Sequence, residues 1–315
     1  MRLISFAPVA LASLLWSQPA LAEAPNVLAD TPVTHSLVAQ VMGELGTPNL
    51  LIERAIDPHH AQLRPSQARA LAQADLFVWI GAPLTPWLEN KVETLLPHGA
   101  AYALLEAPET KLLVFEEGDE SGEDDGEEDG EEDDHNGHDH SEGALDPHAW
   151  LNPENARNWL GAIAAQLSKS DPQNAAVYAA NAARAQVALE ALTPELAATL
   201  APAKARRYIA SHDAFGYLTT RFNFEIAATI TDGHANAPGA AGLAALRRLI
   251  ESEKVDCILA ESGGTDPQAE QIAAETGLPM VALDPIGATF EAGPELYAAM
   301  MRSLAKQIST CGTSD

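Results

Sequence analysis

From residue 26 onward the chain alternates short apolar runs with amphipathic stretches. Val27-Leu28-Ala29 reads as a strand, and residues 33–45 as the helix that follows it. Leu50-Leu51-Ile52 repeats the strand pattern and residues 66–74 the helical one. Leu76-Phe77-Val78-Trp79-Ile80 is apolar at every position, as a strand covered on both faces must be, and a helix over 86–96 comes next. After Pro153 the pattern turns helical. Residues 154–168 fit one amphipathic helix. Asp171-Pro172 supplies the cap and first turn of another that reaches about Leu192, where Thr193-Pro194-Glu195 predicts a break and a fresh start. The alternation resumes at Arg206, with strands over 208–210, 225–230, 255–260 and 280–283. Helices over 214–221, 240–253, 268–276 and 294–308 lie between and after them. Such βα alternation predicts parallel sheets with helices on both faces. The expected fold is α/β, with two lobes joined by a long linker helix and each lobe a mostly parallel sheet flanked by helices. The lobes are expected at 23–152 and 205–315, with linker helices over 153–204. A chain of 315 residues is long enough for two cores.

Two segments stand outside this rhythm. Met1-Arg2 is a positive start, Leu3 to Trp16 is mostly apolar, and Ala20-Leu21-Ala22 is a small-x-small cleavage pattern. Residues 1–22 therefore read as a secretory signal peptide, which predicts a soluble periplasmic protein. No cysteine follows the apolar run, so a lipid anchor is not indicated, and no other stretch approaches the ~20 apolar residues of a spanning helix. Residues 116–142 are almost entirely Asp, Glu, Gly and His, with sixteen of the chain's 45 acidic residues and no Lys or Arg. They cannot bury enough apolar area to offset their ordering entropy and are expected to form a disordered loop. The formal net charge of −27 argues against nucleic acid and anionic membranes as partners and is compatible with cations. The two cysteines, Cys257 and Cys311, are an even pair in an exported chain and predict a disulfide.

Four residues carry candidate chemistry. His59 lies in Asp57-Pro58-His59-His60, and His148 in Asp146-Pro147-His148-Ala149-Trp150. His212 and Asp284 directly follow the strands at 208–210 and 280–283, where open α/β sheets place their ligands. Imidazole and carboxylate suit zinc in a tetrahedral site. Three histidines and Asp284 would complete the tetrahedron, or three histidines would leave one position to water.

Four stretches together resemble the ligand motifs of the cluster A-I solute-binding proteins, the zinc and manganese group. They are 57–66, 146–153, Ser211-His212-Asp213-Ala214-Phe215-Gly216-Tyr217 and Leu283-Asp284-Pro285-Ile286-Gly287, in family order. His212, where the manganese branch carries Glu, is similar to the zinc branch (ZnuA-like proteins), as are the acidic loop and the late cysteine pair. Imidazole in place of carboxylate shifts preference toward Zn²⁺. The resemblance implies a monomeric periplasmic protein that captures Zn²⁺ between its lobes and delivers it to an ABC import permease, with no catalysis. It also implies that His59, five residues before Arg64, is the ligand and not its neighbour His60. Pro58, where zinc members often have Glu, and Ser262, where Pro is usual, depart from the pattern. The loop histidines His135, His138 and His140 are expected to give weak, exchangeable zinc sites. His35, His98 and His234 are expected at the surface, with a place facing the cleft as the alternative for His234, which sits in a Gly-Asn-Pro-rich loop. Competing readings are a manganese or iron homologue, a periplasmic zinc chaperone without a transporter, and a zinc hydrolase with Glu261 as its base.

Overall fold

The apolar runs become eight short strands in two sheets. The computed structural model describes residues 24–53, 56–115, 143–236, 239–262 and 266–312. The leader read at 1–22 and the acidic segment at 116–142, with His135, His138 and His140, lie outside them. In the first lobe β1 (Val27–Ala29), β2 (Asn49–Leu50), β3 (Leu76–Trp79) and β4 (Ala100–Ala103) form a parallel sheet in the order β2-β1-β3-β4. In the second lobe β5 (Arg207–His212), β6 (Glu225–Thr231), β7 (Cys257–Glu261) and β8 (Met280–Leu283) repeat that order as β6-β5-β7-β8, again all parallel. β4 had no counterpart among the expected strands. Its sequence, Ala-Ala-Tyr-Ala, has no β-branched residue, and it is an edge strand held through backbone pairing with β3.

The helices α1 (Pro32–Met42), α2 (Pro65–Gln73) and α3 (Glu89–Leu95) flank the first sheet. α6 (Gly216–Phe222), α7 (Ala240–Glu253), α8 (Pro267–Thr276) and α9 (Leu296–Thr310) flank the second. Between them α4 (Pro153–Ser170) and α5 (Ala175–Thr199) form an antiparallel pair around a short turn. Asn152 caps α4 by accepting the Glu154 N–H at 3.0 Å, with Pro153 in its first turn. The break expected at Thr193-Pro194 does not occur: α5 continues through Pro194 to Thr199. Proline inside a helix costs about 3 kcal/mol or more. Leu189, Leu192, Leu196 and Leu200 are all buried along this stretch, each contributing roughly 1.5–3 kcal/mol, so packing outweighs the lost hydrogen bond.

The two lobes share a core behind their cleft. One continuous apolar cluster joins Leu37 and Met42 of α1, Trp159 of α4 and Tyr178 of α5 to Met300 and Leu304 of α9. Arg302 of α9 donates to Glu195 of α5 at 2.7 Å, and Ser36 donates to the Pro294 carbonyl at 3.1 Å while accepting the Tyr297 N–H. Cys257, at the start of β7, is joined by a disulfide to Cys311, just past α9, with Cα atoms 5.8 Å apart. Closing the intervening loop of 54 residues removes about 4 kcal/mol of unfolded-chain entropy in the loop-closure account. No helix among the described residues is long and apolar enough to cross a membrane.

Candidate metal centre

In each sheet the chain leaves its first strand (β1 or β5) to one side and returns on the other, so ligand space opens at the carboxyl ends of the strands. His212 is the last residue of β5 and Glu261 the last of β7. Parallel register pairs Ala210 with Leu259, which carries His212 opposite Glu261. His59 and His148 arrive from the other side on two turns of the same composition, Asp-Pro-His. In each, the carboxylate two residues before the histidine accepts its backbone N–H at 2.9 Å. The turn bearing His59 is further pinned by Trp87, whose indole donates to the Pro58 carbonyl at 2.7 Å. The turn bearing His148 is pinned to the second lobe. Trp150 donates to the Pro285 carbonyl at 2.7 Å, Tyr297 to the Trp150 carbonyl at 2.8 Å, and Tyr217 to the Asp146 carbonyl at 3.0 Å.

These placements bring His59, His148 and His212 together as a buried group that could hold a metal ion, each offering one ring nitrogen and these nitrogens all within 4.8 Å of one another. The Nε2 atoms of His59 and His148 are 3.3 Å apart. Zn–N bonds of 2.0–2.1 Å at the tetrahedral angle require a nitrogen separation of about 3.3–3.4 Å, so this pair already stands at the edge length of such a site. His148 donates from Nδ1 to Asp146 Oδ1 at 2.8 Å, which leaves its Nε2 lone pair for the cluster. His212 turns Nδ1 toward Glu261 Oε1 at 3.5 Å, while its Nε2 is buried without a hydrogen-bond partner. His59 is the exception, because its outer nitrogen, Nδ1, is buried and makes no hydrogen bond. The cluster lines an inter-lobe cavity of about 690 Å³ together with Trp150, Ser211 and Glu261.

Burial sets the charge of the cluster. It pulls His59 down to about 2, with His148 and His212 adding like-charge repulsion, and holds His148 well below its ordinary value. Both rings are thus neutral, as metal ligands must be. At His212 burial is again the largest influence and pulls downward, but the hydrogen bond and charge of Glu261, the Gly233 backbone and the Asp57 charge together outweigh it and the ring sits above its ordinary value. Burial pushes Asp146 up to about 7, against the His148 N–H that holds it down.

The fourth expected residue, Asp284, does not join the group. It is buried after β8, but Oδ1 accepts from the Gly287 and Ala288 N–H groups at 2.8 and 3.0 Å. Oδ2 accepts from the Thr289 N–H and hydroxyl at 2.7 and 2.6 Å. The carboxylate organises its own loop, which Gly287 turns at φ +82°, where a Cβ would lie 2.6 Å from Leu296. His60 is exposed, in contrast to its buried neighbour. His98 is exposed, as expected, but His35 is not a surface residue. It is buried, with Nε2 3.0 Å from the Pro48 carbonyl oxygen. His234 lies beside the cluster, its ring 6.3 Å from that of His59. Asp146 and Glu261 as partners of the histidine rings were missed in the sequence. For Asp146 a signal was there: a carboxylate two residues before a histidine, across a proline, can reach both the backbone N–H and the near ring nitrogen.

The family model of the periplasmic zinc-uptake complex component A matches residues 27–311. The chain is 42% identical over 309 residues to the high-affinity zinc uptake system protein ZnuA of Paracoccus denitrificans, covering 94% of each chain. It is 32% identical to the protein of the same name in Brucella abortus, covering 92% of each. Among solved structures it resembles a crystal structure of ZnuA with a TM-score of 0.76 at 23% identity, covering 92% of this chain and 100% of that one. A laminin-binding adhesin of Streptococcus agalactiae, described as having metal-transporting activity, shares the fold with a TM-score of 0.69 at 20% identity. It covers 90% of this chain and 99% of that one.

Proposed function

The chain belongs to the periplasmic zinc-uptake component A family, and from that membership we propose that it captures one Zn²⁺ through His59, His148 and His212 and delivers it to an ABC import permease. The observation that carries the ligand assignment is the 3.3 Å approach of the His59 and His148 Nε2 atoms inside a buried three-histidine group. Without an ion, one of these two Nε2 atoms donates to the other, and only one of the two lone pairs is satisfied; a divalent cation with tetrahedral preference takes both lone pairs at once, and that of His212 with them. An all-nitrogen donor set favours Zn²⁺ over the harder Mn²⁺. Asp284 is occupied by its own loop, so water from the open cavity completes the tetrahedron.

Capture and release need no bond made or broken in a substrate, and the protein works without catalysis. It acts as a monomer in the periplasm, reached through the leader at 1–22, and docks only transiently on its permease. The loop histidines His135, His138 and His140 add weak sites apart from the cleft. Calorimetric titration of the mature protein with Zn²⁺ and Mn²⁺ tests this reading. One tight zinc event with poor manganese binding supports it, and retention of that event in the His59→Ala, His148→Ala or His212→Ala protein removes that residue from the site.

A further inference from the structure

We infer that Glu261 is a positioning residue for the zinc site: it fixes the proton of His212 on Nδ1 and thereby points the Nε2 lone pair at the ion. This rests on the zinc reading above. The backbone around Glu261 is held by both neighbouring strands. Its N–H donates to the Ser211 hydroxyl at 3.0 Å on the β5 side, and the next N–H, of Ser262, donates to the Leu283 carbonyl at 2.6 Å at the end of β8. From that fixed base the side chain reaches back along the register, so that Oε1 faces His212 Nδ1 at 3.5 Å. The opposite nitrogen of the same ring is buried without a hydrogen-bond partner and belongs to the three-histidine group.

The arrangement copies the one at His148, where Asp146 takes Nδ1–H at 2.8 Å and Nε2 is left to the cluster. At 3.5 Å the Glu261 contact is longer than a hydrogen bond of ordinary strength. Binding of a cation at Nε2 withdraws charge from the ring, makes Nδ1–H a better donor and closes that gap. Carboxylate partners of this kind typically change metal affinity by about 10–100-fold. Glu261 is not itself in the group whose donor atoms lie within 4.8 Å of one another, so the geometry assigns it the outer role.

The role is separable from direct ligation and from general attraction of a cation by a negative charge. Zinc affinity is measured by competition with a chelator for the wild-type, Glu261→Ala, Glu261→Gln, His212→Ala and His212→Ala/Glu261→Ala proteins, with thermal melts of each ion-free form. Glu261→Ala is expected to weaken zinc by about 10–100-fold. Glu261→Gln, isosteric and still able to accept Nδ1–H, is expected to recover part of that loss with an unchanged melt. In the His212→Ala background the same removal is expected to cost less than about twofold, because a residue that acts through an imidazole has nothing to act through once the ring is gone. An equal loss in both backgrounds overturns the inference, since the carboxylate then touches or attracts the ion directly. Unchanged affinity in Glu261→Ala overturns it as well. A wild-type protein without a tight zinc event is a different result: it sinks the zinc reading and takes this inference with it.

Discussion

The two Asp-Pro-His turns are the same device used twice, with different consequences. In both, the aspartate accepts the histidine N–H at 2.9 Å. Asp146 is buried and goes on to take the ring Nδ1–H of His148, whereas Asp57 is exposed and the Nδ1 of His59 makes no hydrogen bond. The anchors differ too. Trp87 ties the His59 turn within the first lobe, while Trp150, Tyr217 and Tyr297 tie the His148 turn to the second. Identical local sequence thus yields one histidine whose ring is fixed by a buried carboxylate and one whose ring has no such partner. His148 shares a frame with His212, although it precedes the linker helices in sequence, and His59 faces that pair alone.

The largest test of this difference is removal of the fixed ring. His148→Ala takes away a proposed ligand and leaves the buried Asp146 with the backbone N–H of residue 148 but without its ring donor, so its cost in zinc affinity should exceed the about 10–100-fold typical of losing an outer partner. Chelator competition measures it, and a loss under tenfold would mean that the site is built elsewhere.

Acidity should then reveal how unequal the rings are. Protons compete with zinc for imidazole lone pairs, so affinity falls as pH falls. His59, pulled down to about 2, and His148, held well below its ordinary value, stay neutral and do not compete between pH 5 and 8. His212, raised, competes in that window, and so does Asp146, pushed up to about 7, because its protonation removes the acceptor from His148. One to two protons are therefore displaced, and affinity should drop by about 10–100-fold per pH unit below the ordinary histidine range. A slope approaching three decades per unit would show three exposed-like histidines and contradict the burial argument.

How much of this was legible in the sequence follows from what each feature depends on. Buried strands such as β3 announce themselves because both faces are apolar. β4 does not, since its alanines carry no strand preference and its pairing is supplied by β3. The three histidines could be picked out by their places after strands and in repeated turns, supported by resemblance. The fate of Asp284 could not: an Asp-Pro after a strand looks the same whether the carboxylate faces a cleft or folds back onto its own loop, and four donors within a few residues decide it. Pro194 misled for a related reason. The local penalty is visible in the sequence, and the buried leucines that override it are visible only once α5 has packed.

The sharpest form of the comparison is a matched pair of substitutions. Asp146→Ala strips the backbone N–H and the ring Nδ1–H of His148 of their shared acceptor in a buried site, and zinc affinity should fall by about 10–100-fold. Asp57→Ala removes the same backbone bond from His59 and no ring bond. A single net hydrogen bond is worth about 0.5–1.5 kcal/mol, and solvent reaches Asp57 to replace it, so the loss should stay at or below about tenfold. Both proteins keep all three imidazoles, so the ratio of the two losses reports the ring contact itself. If Asp57→Ala costs as much as Asp146→Ala, the shared backbone bond, and not the carboxylate on the ring, is what holds each histidine in place. If the two differ by a decade or more, the buried carboxylate distinguishes the histidine fixed to the second lobe from the one that the first lobe brings to it.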